Sequence, residues 1–334
     1  MNCPALGVIG GSLDISMRIL ITGATGFVGG HLAEALFVRG SAELFALCRK
    51  DAWPTEWAHL AGRIPLHTRD LVETTDLTSI LSDIRPDWII HLAAYAHVGQ
   101  SFHEADLVWR TNLDGTRKLY DAVAEWGGKP RILFVSSGLV YGDGDKACQE
   151  DHPLRPASPY AASKAAADLA SYQYTRHPGL DIVRVRPFNH VGPRQSPQYA
   201  VARFASQIAD IELGRQPPVV ETGDLSSRRD LSDVRDVVRA YILLLQKGGR
   251  GEAYNVGSGE TVSMQEVLNK LIAMAKVRVD VQRRSDQLRP AETAVAWGDV
   301  GKLRRETGWK PEYSLNQTLA DTLEYWRNQP RANG

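Results

Sequence analysis

The feature that most restricts the fold lies at residues 18–29, where RILIT runs straight into Gly23-Ala24-Thr25-Gly26-Phe27-Val28-Gly29. A short apolar run, glycines spaced G-x-x-G-x-x-G and a helix-like stretch over 27–39 read as strand, tight turn and helix. Such a turn aims backbone amides and the positive end of a helix at one point, which suits a dinucleotide pyrophosphate. Three glycines alone could form a plain strand-to-helix turn. Their place after a strand and before a helix favours the dinucleotide.

The rhythm continues beyond this unit. Apolar runs at 18–22, 43–47, 87–93, 131–137 and 181–186 alternate with helix-like segments at 27–39, 104–126 and 159–176. Continuous apolar strands separated by helices predict a parallel sheet covered on both faces, an α/β doubly wound Rossmann fold. After residue 188, proline and glycine interrupt the pattern at 192–198 and 214–223, and the elements become mixed. GEAYNVGSG (251–259) reads as a short strand, and Ser263 with Glu266 forms a capping box at the start of a helix. The expected division is a dinucleotide-binding domain over 17–187, with 230–257 returning to it. A smaller mixed α/β C-terminal substrate lobe takes 188–229 and 258–334. Residues 1–16 lack a basic stretch before their short apolar run, so they read as a disordered leader ahead of a chain start at Met17.

Composition excludes several classes. Equal numbers of basic and acidic residues, 39 each, give no bulk attraction to nucleic acid or an anionic membrane. No apolar run approaches the ~20 residues of a membrane span. Cys3, Cys48 and Cys148 are unrelated in spacing, so neither a disulfide framework nor a metal site is expected, and the reading is a cytoplasmic protein with reduced thiols.

At the end of the second strand, where an NAD site offers an acid to the ribose, the chain has Cys48-Arg49-Lys50. Two cations without an acid suit a 2′-phosphate, so NADP(H) is expected over NAD(H), which stays possible. Tyr160 and Lys164 stand four apart in a helix-like segment and share one face. A lysine ammonium beside a phenol is expected to lower its pKa, and Ser137 at the neighbouring strand end can bond the same substrate oxygen. A Tyr-x-x-x-Lys pair also arises by chance as a lysine packed over an aromatic.

TGATGFVG, HLAA (91–94), VSSGLVYG (135–142), YAASK (160–164) and RPFN (186–189) together resemble the extended short-chain dehydrogenase/reductase family of nucleotide-sugar enzymes, over nearly the whole chain from Met17. The resemblance implies a catalytic triad of Ser137, Tyr160 and Lys164, with Lys164 also at the nicotinamide ribose. It implies Asp70 and Leu71 at the adenine, and Leu92, Ala93 and Ala94 lining the cofactor cleft. Asn112 resembles the family's helix asparagine that supports the active-site helix. The helices near 104–126 and 159–176 resemble its dimer-forming pair, so a homodimer is expected.

Asn189, Arg194, Arg229, Arg289 and Glu292 form a dispersed set suited to a sugar-nucleotide diphosphate; the resemblance points to Arg229 and Arg289 for the diphosphate and implies Glu292 as a partner for ribose or base. FNHVGPRQ, SRRDLSDVRDVV, AYNVGSG, LRPAET and TGWKP resemble the GDP-mannose branch, and within it the reductases of GDP-4-keto-6-deoxyhexoses. Family dehydratases place an acid/base pair one and two residues after the catalytic hydroxyl, and this chain has Gly138 and Leu139 there. Neither can move a proton, which disfavours dehydration. The expected reaction is reduction of a C4 ketone. A 4-epimerase holding its NAD(P), and a regulator that binds NADP without turnover, are the alternatives.

Overall fold

A computed structural model of the chain describes residues 16–40, 42–284 and 295–330. Strands β1 (Arg18–Thr22), β2 (Glu43–Cys48), β3 (Leu66–Thr68), β4 (Trp88–His91), β5 (Arg131–Val135) and β6 (Asp181–Pro187) follow one another along the first half. Helices α1 (Phe27–Arg39), α2 (Leu77–Ile84), α3 (Ala105–Trp109), α4 (Gly115–Trp126) and α5 (Pro159–Arg176) lie between them. The second half carries β7 (Asn189–Val191), α6 (Ala200–Glu212), β8 (Val219–Thr222), β9 (Arg228–Arg229), β10 (Leu231–Asp233) and α7 (Val234–Lys247). There follow β11 (Ala253–Val256), β12 (Val262–Ser263), α8 (Met264–Ala273), β13 (Asp280–Arg283), β14 (Val295–Ala296), α9 (Gly301–Thr307) and α10 (Leu315–Arg327).

Seven strands form one parallel sheet in the order β3-β2-β1-β4-β5-β6-β11. Alternation along the strands feeds two cores. Ile19 and Ile21 pack with Leu32, Leu36, Trp57 and α7 residues such as Val238 and Tyr241. Leu20 packs on the opposite face with Leu81 of α2, Leu119 and Tyr120 of α4 and Tyr174 of α5. Both faces are dry, as the run of apolar strand residues requires. The doubly wound expectation holds.

A third core, built from Phe204, Ile208, Val220, Val267, Leu271 and Leu319, makes the second lobe. Ser263 and Glu266 cap α8 reciprocally, Glu266 N–H donating to Ser263 Oγ at 3.1 Å and Ser263 N–H to Glu266 Oε2 at 2.8 Å.

Three features depart from the expectations above. β3 extends the sheet where the apolar pattern predicts no strand, because three residues are too short to show one. Val300, Leu303 and Trp309, assigned by position to the second lobe, are buried in the same core as Ile19, while Leu231 sits in the second-lobe core. The helix over 104–126 is broken into α3 and α4 by a π-helical turn at Arg110–Asp114. Of the leader, residues 1–15 lie outside the described residues.

Candidate active site

The carboxyl ends of β1, β2, β4 and β5 open onto one cleft of about 1100 Å³ between the lobes. Gly23, φ +73°, begins its floor, and a Cβ there would lie 2.8 Å from the Ala93 amide nitrogen. The turn from β1 therefore passes against the chain leaving β4, which only glycine allows. Gly26 N–H donates to Gly23 O at 3.0 Å and closes the turn. Gly26 then caps α1 with no side-chain acceptor, and the first turn holds no acid. Thr25, Gly26, Phe27, Val28 and Gly29 line the cleft, so an uncapped helix N-terminus faces it and can receive an anion.

Arg49 and Lys50 are exposed at the rim beyond β2. Asp70 and Leu71 line the adjoining wall, with Asp70 Oδ1 accepting Val72 N–H at 2.8 Å. Leu92, Ala93 and Ala94 line the next strand end. Two buried polar atoms of cleft-lining residues, Gln195 Oε1 and the Tyr241 hydroxyl, have no hydrogen-bond partner among the described residues. Buried polar atoms are normally paired, so this wall suits a polar ligand. The glycine turn, uncapped helix and basic rim together fit a dinucleotide.

Ser137 follows β5 and caps the turn at Gly138–Tyr141, its Oγ accepting Leu139 N–H at 3.2 Å. Tyr160 stands in the first turn of α5, whose start is set by Ser158 Oγ accepting Ala161 N–H at 3.2 Å and by Pro159. These two caps bring the Ser137 and Tyr160 hydroxyls to the same wall of the cleft, close enough for Ser137 to act on the phenol. Burial pushes the Tyr160 phenol up to about 12, against the opposing effect of the Ser137 hydroxyl. Lys164, one turn on, donates from Nζ to Val135 O at 2.7 Å and lies 5.4 Å from the Phe134 ring centre. Burial draws its ammonium down to about 7, with Asp168 opposing. The expectation that Lys164 lowers the Tyr160 pKa is corrected here. The ammonium is committed to a β5 carbonyl, and desolvation of the phenol dominates.

The π turn places Asn112 between the site's elements. Its Oδ1 accepts Tyr95 N–H at 2.7 Å, and its Nδ2 donates to Tyr95 O at 3.2 Å and Ser163 Oγ at 2.9 Å. Ser163 Oγ in turn donates to Tyr160 O at 2.8 Å. Below it, Thr116 Oγ1 donates to Asn112 O at 2.7 Å, which leaves that oxygen to accept from His91 Nε2 at 2.9 Å. His91 Nδ1 then accepts from Thr22 Oγ1 at 2.8 Å. This chain ties the ends of β1 and β4 to the π turn.

Asn189 and Arg229 also line the cleft, with Arg229 Nη1 donating to Arg228 O at 2.9 Å. Arg194 does not line it. Its guanidinium pairs with Glu34 of α1 at 2.8 Å and lies 4.3 Å from the Trp57 ring centre, so it staples the 192–199 loop to the first lobe. Arg289 and Glu292 lie outside the described residues. His97, Gln198 and Tyr199 carry no signal in the sequence and emerge only from the fold. His97 Nε2 lies 2.5 Å from Gln198 Oε1 and its ring stacks on Tyr199, joining the loop after β4 to the second lobe across the cleft. Loop residues far apart in sequence have no periodicity that would expose them.

The family model described as GDP-mannose 4,6 dehydratase matches residues 20–322. GDP-6-deoxy-D-mannose reductase of Pseudomonas aeruginosa is 34% identical over 320 residues, covering 95% of this chain and 99% of that protein. UDP-glucose 4-epimerase of Mycolicibacterium smegmatis is 32% identical over 320 residues, covering 94% and 99%. Among solved structures, RMD from Pseudomonas aeruginosa complexed with NADPH superposes with a TM-score of 0.80 at 33% identity, covering 93% of this chain and 99% of that one. The chain therefore belongs to the extended short-chain dehydrogenase/reductase family, in the group that the GDP-mannose 4,6 dehydratase model describes.

Proposed function

We propose that this NAD(P)-dependent oxidoreductase of sugar nucleotides reduces the C4 ketone of a GDP-4-keto-6-deoxyhexose to a GDP-6-deoxyhexose, with NADPH preferred over NADH. The observation that carries the reading is a Ser137–Tyr160–Lys164 set with no second acid/base pair after Ser137. Gly138 is packed against Phe188, and a Cβ there would lie 2.7 Å from that ring. An acidic side chain at 138 therefore has no room, and Leu139 cannot exchange protons. Similarity to the reductase and to the NADPH complex of RMD supports the same choice.

The reduced nicotinamide, when bound, supplies the hydride. Tyr160 gives its proton to the oxygen that becomes the C4 hydroxyl. A phenol pushed up to about 12 is fully protonated at neutral pH, the form from which a reduction must start. Ser137, its Oγ oriented by Leu139 N–H, hydrogen-bonds the same oxygen as charge develops there. Arg229 and Asn189 take the diphosphate end, and Arg49 and Lys50 the 2′-phosphate.

A homodimer is part of the proposal. Leu107 of α3 is 41% exposed, and on the neighbouring α5 Leu169 is 60% and Tyr172 46% exposed. These large apolar side chains on adjacent helices fit a second copy of the chain. No described helix is long and apolar enough to cross a membrane.

The test is to supply GDP-4-keto-6-deoxymannose, and separately UDP- and dTDP-linked sugars, with NADPH and identify products by NMR. Stoichiometric NADPH oxidation with a new C4 hydroxyl on the GDP sugar is expected. Interconversion of two C4 epimers without net NADPH use would transfer the assignment to an epimerase. Binding with no turnover on any of these substrates would make the chain a regulator.

A further inference from the structure

The face of α5 that carries Tyr160 and Lys164 continues one turn further to Asp168, a group the reaction above leaves unused. The three residues are spaced i, i+4 and i+8 and stack along one side of the helix. Asp168 is 0% exposed. Its Oδ1 accepts from Arg184 Nη1 at 2.5 Å and from Arg186 Nη2 at 3.1 Å, and its Oδ2 accepts from Arg186 Nε at 2.9 Å. Both arginines stand on β6, the neighbour of β5, which Ser137 follows. Burial pushes the carboxyl up, but the two guanidinium groups outweigh it and hold Asp168 below the ordinary carboxylate range.

A plain staple between α5 and β6 would need one guanidinium and no particular neighbour. Here the carboxylate lies one turn from a buried ammonium. Lys164 is faced by Asp168 from its own helix, by the Phe134 ring and Val135 carbonyl from β5, and by His91 from β4, which burial keeps neutral. Asp168 is faced by Arg184 and Arg186 from β6, Tyr120 from α4 and Tyr141 from the turn after Ser137. Among the described residues, Asp168 is the anion that acts on Lys164.

We propose that Asp168 is a positioning residue that acts through Lys164, keeping its ammonium charged and fixed against the Val135 carbonyl in an otherwise apolar pocket. The proposal rests on the reading of Tyr160 and Lys164 as the working pair of the cleft. Arg184 and Arg186 set how strongly Asp168 acts, because each cation beside the carboxylate offsets part of its field at Lys164.

The test titrates the Lys164 side chain by NMR on lysine-labelled protein, with Lys164→Arg assigning the signal, and measures kcat/KM against pH in parallel. Asp168→Asn removes the anion, so the Lys164 midpoint and the alkaline limb of the profile both move down by about one to two units. That variant leaves two buried guanidinium groups without their carboxylate, a strongly destabilising change. Arg184→Gln is therefore the companion: Asp168 keeps its pair with Arg186, and loss of one cation moves the Lys164 midpoint up. Opposite shifts in the two variants, or the upward shift of Arg184→Gln alone if the first does not fold, establish the role. An unmoved midpoint in Arg184→Gln, or shifts of the same sign in both, overturns it and leaves Asp168 a structural staple. The NMR midpoint needs no turnover, so an inactive protein on every 4-keto sugar would refute the reductase reading and still decide this one.

Discussion

Asn112→Ala removes the side chain that holds the π turn, the loop after β4 and the active-site helix together. Asn112 is 1% exposed and makes three hydrogen bonds, two to the backbone of Tyr95 and one to Ser163. In the alanine variant Ser163 loses an incoming donor but keeps its own bond to Tyr160 O, a small change. Tyr95 loses the partners of both its N–H and its C=O. An unsatisfied buried backbone group costs about 1–3 kcal/mol, the carbonyl less than the amide. The sum is about 2–4 kcal/mol, or a fall in thermal midpoint of several degrees for a chain of this size. The functional effect follows from geometry, because Ala93 and Ala94 adjoin Tyr95 and Tyr160 lies three residues before Ser163. Misplacing either side of the cleft by a fraction of an ångström lowers kcat by about tenfold or more. Calorimetry and steady-state kinetics on the same preparation measure both. A midpoint lowered by less than about 1 °C, well below what a loss of this size produces, together with full turnover would refute the accounting.

Tyr160→Phe removes the proton donor and should reduce turnover by about two to four orders of magnitude, with cofactor affinity measured by fluorescence nearly unchanged. Near-normal turnover would remove Tyr160 from the mechanism. Arg49→Glu sets an anion where a 2′-phosphate is proposed, so the NADPH to NADH ratio of kcat/KM should fall about tenfold or more. An unchanged ratio would place the discrimination elsewhere. Burial draws His91 down to about 3 and His31 to about 4 from an unfolded value near 6.5, so the unfolded chain binds protons that the folded one refuses. Stability is then full above about pH 6.5 and declines as pH falls from there toward about 3. His31→Gln should flatten that decline in calorimetry, and an equal slope would show that other groups cause it. Leu169→Glu places a charge on the exposed face of α5 and should convert the proposed dimer to monomer by light scattering, while a wild-type monomer would remove the interface altogether.

Much of the proposed site was legible because its elements are local. The glycine spacing at 23–29, the cations at 49–50 and the four-residue step from Tyr160 to Lys164 each act within one turn or one helix, so residue order alone carries their geometry. The capping box at Ser263 and Glu266 is legible for the same reason. Arg194 shows the limit: a guanidinium reads alike whether it meets a phosphate or Glu34, and its partner on α1 lies 160 residues away.

Residue order suffices for the doubly wound sheet and the glycine turn, since each follows from short-range spacing and apolar periodicity, while the proposed Ser137, Tyr160 and Lys164 set rests in the sequence on the resemblance of its motifs to the family. The electrostatics of that set came from packing instead. Lys164 turns to the Val135 carbonyl, Tyr160 sits above its ordinary pKa, and Asp168 faces two arginines from the next strand. The π turn that brings Asn112 to Tyr95 and Ser163 belongs to the same class. Burial and through-space charge depend on which distant segments pack together, and no local pattern of residues encodes that.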